Sequence, residues 1–145
     1  MTGKLIGIVR AEQLRAPLVE MQSATVSVDA GISGDARGRK TDRQVTVLFR
    51  ESWDDACREL GVSLPWTTRR ANLLIEGVPV PHSAGGKIHI GDVVLDVRLE
   101  TCPCQLMERA HTGLRAALTP NWRGGVCCNV VTGGEIHLGD PVLLT

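Results

Sequence analysis

The sequence contains no tyrosine and one phenylalanine, Phe49, so aromatic residues make up only 3% of the chain. Single-stranded nucleic acids are bound by stacking bases on several aromatic rings, and that mode is excluded here. Neither charge is in excess, since Lys+Arg and Asp+Glu both number 16. A general binder of nucleic acid or anionic membrane would carry a basic surplus. No apolar run approaches the ~18 residues of a membrane span. The apolar stretch before Arg10 is also too short for the hydrophobic region of a secretory leader. These absences lead to the expectation of a cytoplasmic protein with neither nucleic acid nor membrane as partner.

What is present suits one domain over residues 1–145. Hydrophobic residues are 43% and charged residues 22%, enough apolar material to bury a core built from Val, Leu, Ile and Ala. Lys4–Val9 and Gln44–Phe49 read as strands. Ala24, Val26 and Val28 alternate onto one face, as do Val93, Leu95, Val97 and Leu99. In Val126–Val130, Val126, Cys128 and Val130 share one face, with Cys127 and Asn129 on the other. An internal repeat is the strongest organisational signal: Gly85-Gly-Lys-Ile-His-Ile-Gly-Asp-Val-Val-Leu matches Gly133-Gly-Glu-Ile-His-Leu-Gly-Asp-Pro-Val-Leu. Each copy reads as strand, Gly-Asp turn, strand, so two equivalent hairpins are expected. His89 and His137 hold equivalent places and read as exposed strand residues. The predicted fold class is mainly β with small helices, in a closed or nearly closed barrel.

Two helical stretches are predicted. Ser52 can cap the first, in which Trp53, Ala56, Cys57 and Leu60 form an apolar stripe ending at Gly61. Cys57 is therefore expected to be an inert core thiol. The second follows Cys104, with Leu106, Ala110 and Leu114 on one side and a break near Thr112-Gly113.

Five cysteines in a reducing compartment are thiols, available for packing, metal or chemistry. Thr101-Cys-Pro-Cys-Gln-Leu-Met is the most chemical stretch. A thiol just before a helix meets unpaired backbone N–H groups, which favour thiolate, and Cys104 is so placed if the helix begins near Gln105. Cys102 lies one step back, and a Cys102–Cys104 disulfide would close a small, strained ring. Two buried structural thiols are the plainer alternative. A zinc or iron–sulfur site from Cys102, Cys104, Cys127 and Cys128 is disfavoured, because neither pair has the C-x₂₋₄-C spacing. A second polar set seeks anions: Arg43-Gln44, Arg69-Arg70-Ala-Asn72 and Arg123-Gly124-Gly125 combine guanidinium forks with a glycine pair that permits close backbone approach.

The order of these pieces resembles a known family. Gly31-Ile-Ser-Gly-Asp-Ala-Arg37, Arg43-Gln-Val, Arg70-Ala-Asn-Leu-Leu-Ile-Glu-Gly77, Ile88-His-Ile-Gly-Asp-Val-Val-Leu95, Pro103-Cys-Gln-Leu, Arg123-Gly-Gly-Val and Gly134-Glu-Ile-His-Leu-Gly-Asp-Pro-Val follow the series of the MOSC domain. That module ends molybdenum cofactor sulfurases and also stands alone in bacteria. The resemblance implies a β-rich barrel and a cysteine, here Cys104, that carries sulfur or ligates molybdenum. It also implies a pyridoxal-phosphate-dependent cysteine desulfurase as sulfur donor and molybdenum cofactor pathway proteins as partners. Arg37 stands where the family often has His, and the chain is shorter than the family's reductases. The resulting expectation is a sulfur carrier with persulfide on Cys104 and with Arg43, Arg70, Asn72 and Arg123 lining a pocket for an anionic pterin (molybdopterin). The alternatives are a molybdenum-dependent reductase of N-hydroxylated compounds with Cys104 as metal ligand, and a non-catalytic module that holds an anionic ligand.

Overall fold

The computed structural model describes residues 2–145. Its strands are β1 (Gly3–Arg10), β2 (Val19–Glu20), β3 (Ser23–Ser27), β4 (Gly31–Ile32), β5 (Val45–Phe49), β6 (Leu73–Glu76), β7 (Lys87–Ile90), β8 (Val93–Glu100), β9 (Val126–Thr132), β10 (Gly134–His137) and β11 (Pro141–Leu144). The helices are α1 (Arg50–Leu60), α2 (Gln105–Ala110) and α3 (Leu114–Leu118). Seven strands run β11-β7-β8-β9-β5-β6-β1, and β1 pairs with β11 to close the barrel. Closure pairs both edges of these seven strands, and β2 adds to the far end of β1. Among the described residues only β5–β6 pairs in parallel, and α1 makes its crossover. A small second sheet runs β10-β3-β4.

Alternation divides the barrel wall into two faces. Val45, Val47 and Phe49 of β5, Leu73 and Ile75 of β6, and Val126, Cys128 and Val130 of β9 join the interior core. Leu48 and Leu74 point outward into a second cluster with Trp53, Ala56 and Cys57 of α1, Met107 of α2, and Leu114, Ala117 and Leu118 of α3. Cys57 is buried in that stripe, as expected, and the left-handed Gly61 ends α1 by donating its N–H to the Arg58 carbonyl.

Four local expectations are corrected. The helix α1 starts at Arg50 directly off β5, without Ser52 as cap. In α2 the buried residue is Met107, whereas Ala110 is exposed, so the packed face is one step round from the one expected. The chain does break at Gly113 (φ 89°), as anticipated. Val28 lies beyond the end of β3 and is 53% exposed. Most instructive, the repeat copies are not equivalent. The first is the β7–β8 hairpin. In the second, β10 pairs with β3 while β11 pairs with β7 and β1, so the turn is a corner between sheets. Pro141 occupies the place of Val93 and has no N–H for the bond that would close a hairpin. Leu5 takes the corner instead: its N–H donates to the Asp140 carbonyl (3.0 Å) and its carbonyl accepts from Gly139 N–H (2.7 Å).

Candidate functional site

On the outer face of β5 and β9, Thr46 and Cys127 stand opposite each other in register. The same face is apolar farther along, where Leu48 lies under the helices. Beside it opens a cleft of about 350 Å³. Thr46 and Cys127 lie in its wall, with Thr101, Cys102 and Cys104 from the segment that joins β8 to α2, and Leu106 and Met107 from α2. Cys102 and Cys104 are both exposed. Cys104 immediately precedes α2, as the sequence led us to expect, and its carbonyl accepts from Met107 N–H at 3.0 Å. A six-residue helix carries little macrodipole, so the potential at the thiol rests on side-chain charge.

That charge is one-sided. Arg15, Arg37, Lys40, Arg43, Arg69 and Arg70 line the cleft and no carboxylate does. In a chain with no net charge, six cations facing one recess make an anion-attracting surface. Arg69 is the fixed member. It ends the 3₁₀ turn Trp66–Arg69 and is 8% exposed. Its Nε donates to the Gly124 carbonyl at 3.0 Å and its Nη2 to the Thr101 carbonyl at 2.7 Å, tying the cysteine segment to β9's approach. Burial pulls its pKa down, the nearby thiols of Cys104, Cys127 and Cys102 offset part of that, and Arg37 adds to it. An arginine remains charged even so. Arg70 follows at positive φ (62°), and its Nη2 donates to the Ala16 carbonyl, tying the strap that bears Leu14 and Arg15 to the wall.

Of the four residues expected to hold an anion, Arg43 and Arg70 line the cleft. Asn72 does not reach it. It lines a smaller adjoining cavity of about 20 Å³ and is buried, with its amide spent on the fold. Its Oδ1 accepts from Thr46 N–H (3.0 Å) and Thr46 Oγ1 (3.1 Å), and its Nδ2 donates to the Val9 carbonyl (3.2 Å). Arg123 turns away altogether, with Nη1 on Glu59 Oε2 (2.8 Å) and on the Ala117 carbonyl (3.0 Å). That bond to Glu59 raises the Arg123 pKa and lowers the carboxyl's. The glycines after it serve packing rather than a ligand. A Cβ on Gly124 would sit 2.4 Å from the Thr101 carbonyl oxygen, and one on Gly125 2.2 Å from that of Val47. Arg15, Arg37, Lys40 and Arg69 take the missing places. Arg69 carries a sequence signal, its adjacency to Arg70, and Arg37 ends the Gly31–Arg37 motif; Arg15 and Lys40 come from irregular segments with none.

The two neighbouring thiols of β9 part company. Cys128 points into the core, where burial pushes its pKa strongly upward. Cys127 faces the cleft, with its Sγ 3.2 Å from Thr101 Oγ1. Among the described residues, no three His, Cys, Asp or Glu side chains are placed to hold a metal ion. No helix among them is long and apolar enough to cross a membrane.

A family model described as MOSC domain matches residues 29–143. No curated protein matches the chain significantly. Among solved structures, YuaD of Bacillus subtilis superposes with a TM-score of 0.81 at 20% identity, covering 99% of this chain and 96% of its own. YiiM of Geobacillus stearothermophilus gives 0.75 at 16% identity, covering 99% and 75%. YiiM of Escherichia coli gives 0.69 at 17% identity, covering 98% and 69%. At these identities the likeness is one of fold.

Proposed function

The chain belongs to the MOSC domain family, and from that premise we propose that it handles sulfur for molybdenum cofactor assembly, with Cys104 carrying the sulfur as a persulfide. The observation that carries this reading is the exposed Cys104 thiol in a cleft lined by six cations and no carboxylate. A persulfide is useful only while it is anionic and reachable, and this setting favours both.

The donor is a pyridoxal-phosphate-dependent cysteine desulfurase bearing its own persulfide. The Cys104 thiolate attacks the outer sulfur of that group, a new S–S bond forms on Cys104, and the donor's cysteine leaves as thiolate. One sulfur atom moves and no net oxidation occurs. Arg15, Arg37, Lys40, Arg43 and Arg70 would hold the acceptor, an anionic pterin phosphate, by guanidinium and ammonium contacts that a neutral ligand could not use. Arg69 holds the Thr101 carbonyl, at the start of the segment that carries Cys104 into the cleft wall.

The exposed Cys104 thiol among cations also fits a pterin-bound molybdenum, to which it would be the protein's ligand. When bound, that group supplies two-electron redox chemistry at the metal.

Incubation with a cysteine desulfurase and cysteine, followed by peptide mass mapping, tests the carrier reading. One extra sulfur on the Cys104 peptide, trapped by alkylation at the moment of loading, is expected in the native chain and in Cys102→Ser, and none in Cys104→Ser. The Cys102/Cys104 double variant shows whether Cys102 shares the load. No added sulfur on the native chain, or full loading of Cys104→Ser, contradicts the reading.

A further inference from the structure

Cys127 is a nucleophile for which the carrier mechanism has no use. Yet it is 2% exposed on the outward face of β9, in the wall of the same cleft as Cys104. Its neighbour Cys128 already fills the interior position. We propose that Cys127 is the second thiol of the site: it attacks the inner sulfur of a Cys104 persulfide and expels the carried sulfur as sulfide, closing a Cys104–Cys127 disulfide. This rests on the sulfur-carrier reading above.

The need is one of electrons. The outer sulfur of a persulfide is two electrons above sulfide, so delivery as sulfide requires a reductant at the site. A second thiol supplies both electrons. The Cys127 sulfur bonds the inner sulfur, the persulfide S–S bond breaks, and the outer sulfur leaves with the Cys127 proton as hydrogen sulfide. A cellular dithiol of the thioredoxin class then restores the two thiols.

Placement distinguishes Cys127 from the other cleft thiol. Cys102 is separated from Cys104 by Pro103 alone, so their disulfide would close a small, strained ring. Cys127 comes from a different strand and is free of that restriction. It is held on the rigid β8–β9 ladder, opposite Leu99, and Thr101 Oγ1 at 3.2 Å fixes its sulfur. Cys104 lies in the irregular segment after β8, where the backbone is not locked in a ladder. The buried Arg69 guanidinium lines the same cleft as both thiols and is held there by the Gly124 and Thr101 carbonyls, a fixed positive charge beside the exchanging sulfurs.

The test uses the full chain loaded with glutathione persulfide, desalted, and held without reductant. Sulfide release is followed together with peptide mapping of disulfides. The native chain should release about one equivalent of sulfide and yield a linked Cys104–Cys127 peptide. Cys127→Ala and Cys127→Ser should load equally but release at least about tenfold more slowly, since the attacking group at high effective concentration is gone. Added dithiol should restore release in both. Retention of sulfur by the native chain, equal release from the Cys127 variants, or a Cys102–Cys104 link overturns the proposal. Because the link is read in the native chain, a folding defect in a variant does not rescue it. If the native chain takes up no sulfur on Cys104, the carrier reading itself fails, and the two failures are told apart at the loading step.

Discussion

Cys127 and Cys128 are adjacent in β9, have the same side chain and are both buried, yet one lines a basic cleft and the other packs in the barrel interior. The same division holds on the neighbouring strands. Val45 and Val47 face inward with Leu73, while Thr46 and Asn72 hold the outer wall behind the cleft. Period-two alternation puts the stabilising work on one face and frees a stretch of the other for chemistry. The outer face is reused twice: beneath the helices it is apolar, through Leu48 and Leu74, and beyond them it is polar. A barrel wall covered by helices over only part of its length thus leaves room for the cleft.

The largest expected effect comes where this division is enforced. Asn72→Leu removes the partner of Thr46 N–H, Thr46 Oγ1 and the Val9 carbonyl inside the wall. Two strands lose their shared polar contact, and stability should fall by about 2–4 kcal/mol in urea unfolding. A change under ~0.5 kcal/mol would mean that Asn72 belongs to the ligand after all.

Next in size is the contrast between Arg70 and Arg123. Arg70→Ala should weaken inorganic pyrophosphate binding by about tenfold, or ~1.4 kcal/mol, in titration calorimetry. Arg123→Ala should leave that affinity within about twofold, because its guanidinium is engaged with Glu59 and the Ala117 carbonyl away from the cleft. Equal losses from the two variants would erase the distinction between the faces.

The smallest effect lies on the exterior away from the site. Lys87, and then Arg98, hold the Asp96 carboxyl below its usual pKa. A lowered folded pKa stabilises above the ordinary carboxylate value of about 3.9, and that share is lost as pH falls through the folded value. Asp96→Asn should therefore be about 0.5 kcal/mol less stable than the native chain at pH 7, a gap that closes in acid below pH ~3.9. A gap that persists unchanged at pH 2 would point to packing instead of charge.

Much of this arrangement is legible in the sequence. Alternation locates the barrel strands and puts Cys127 and Cys128 on opposite faces. The apolar stripe of α1 places Cys57 in the core, and the start of a helix just after Cys104 is read from the sequence as it stands in the structure. What is not legible depends on pairing between distant segments. Whether Ile136 and Val142 belong to a hairpin is decided by β3, β7 and β1, which compete for those strands, and by the missing N–H of Pro141. The cation set is hidden for the same reason: Arg15 and Lys40 lie in irregular segments that only tertiary folding brings to one cleft, and the motif that ends in Arg37 does not show that it faces the same recess. Arg123 and Asn72 look like ligand groups because their residue types suit anions. Nothing local shows that each is already paired within the fold.

The central claim is that the Cys104 thiol and the cation-lined recess are one site. Alkylation of Cys104 by iodoacetamide, measured by peptide mass mapping across a pyrophosphate titration, tests it most directly. We expect a saturable slowing at Cys104 in the native chain, lost or shifted to about tenfold higher concentration in Arg70→Ala, with the buried Cys57 unreactive throughout. An alkylation rate at Cys104 that does not respond to pyrophosphate would contradict the account.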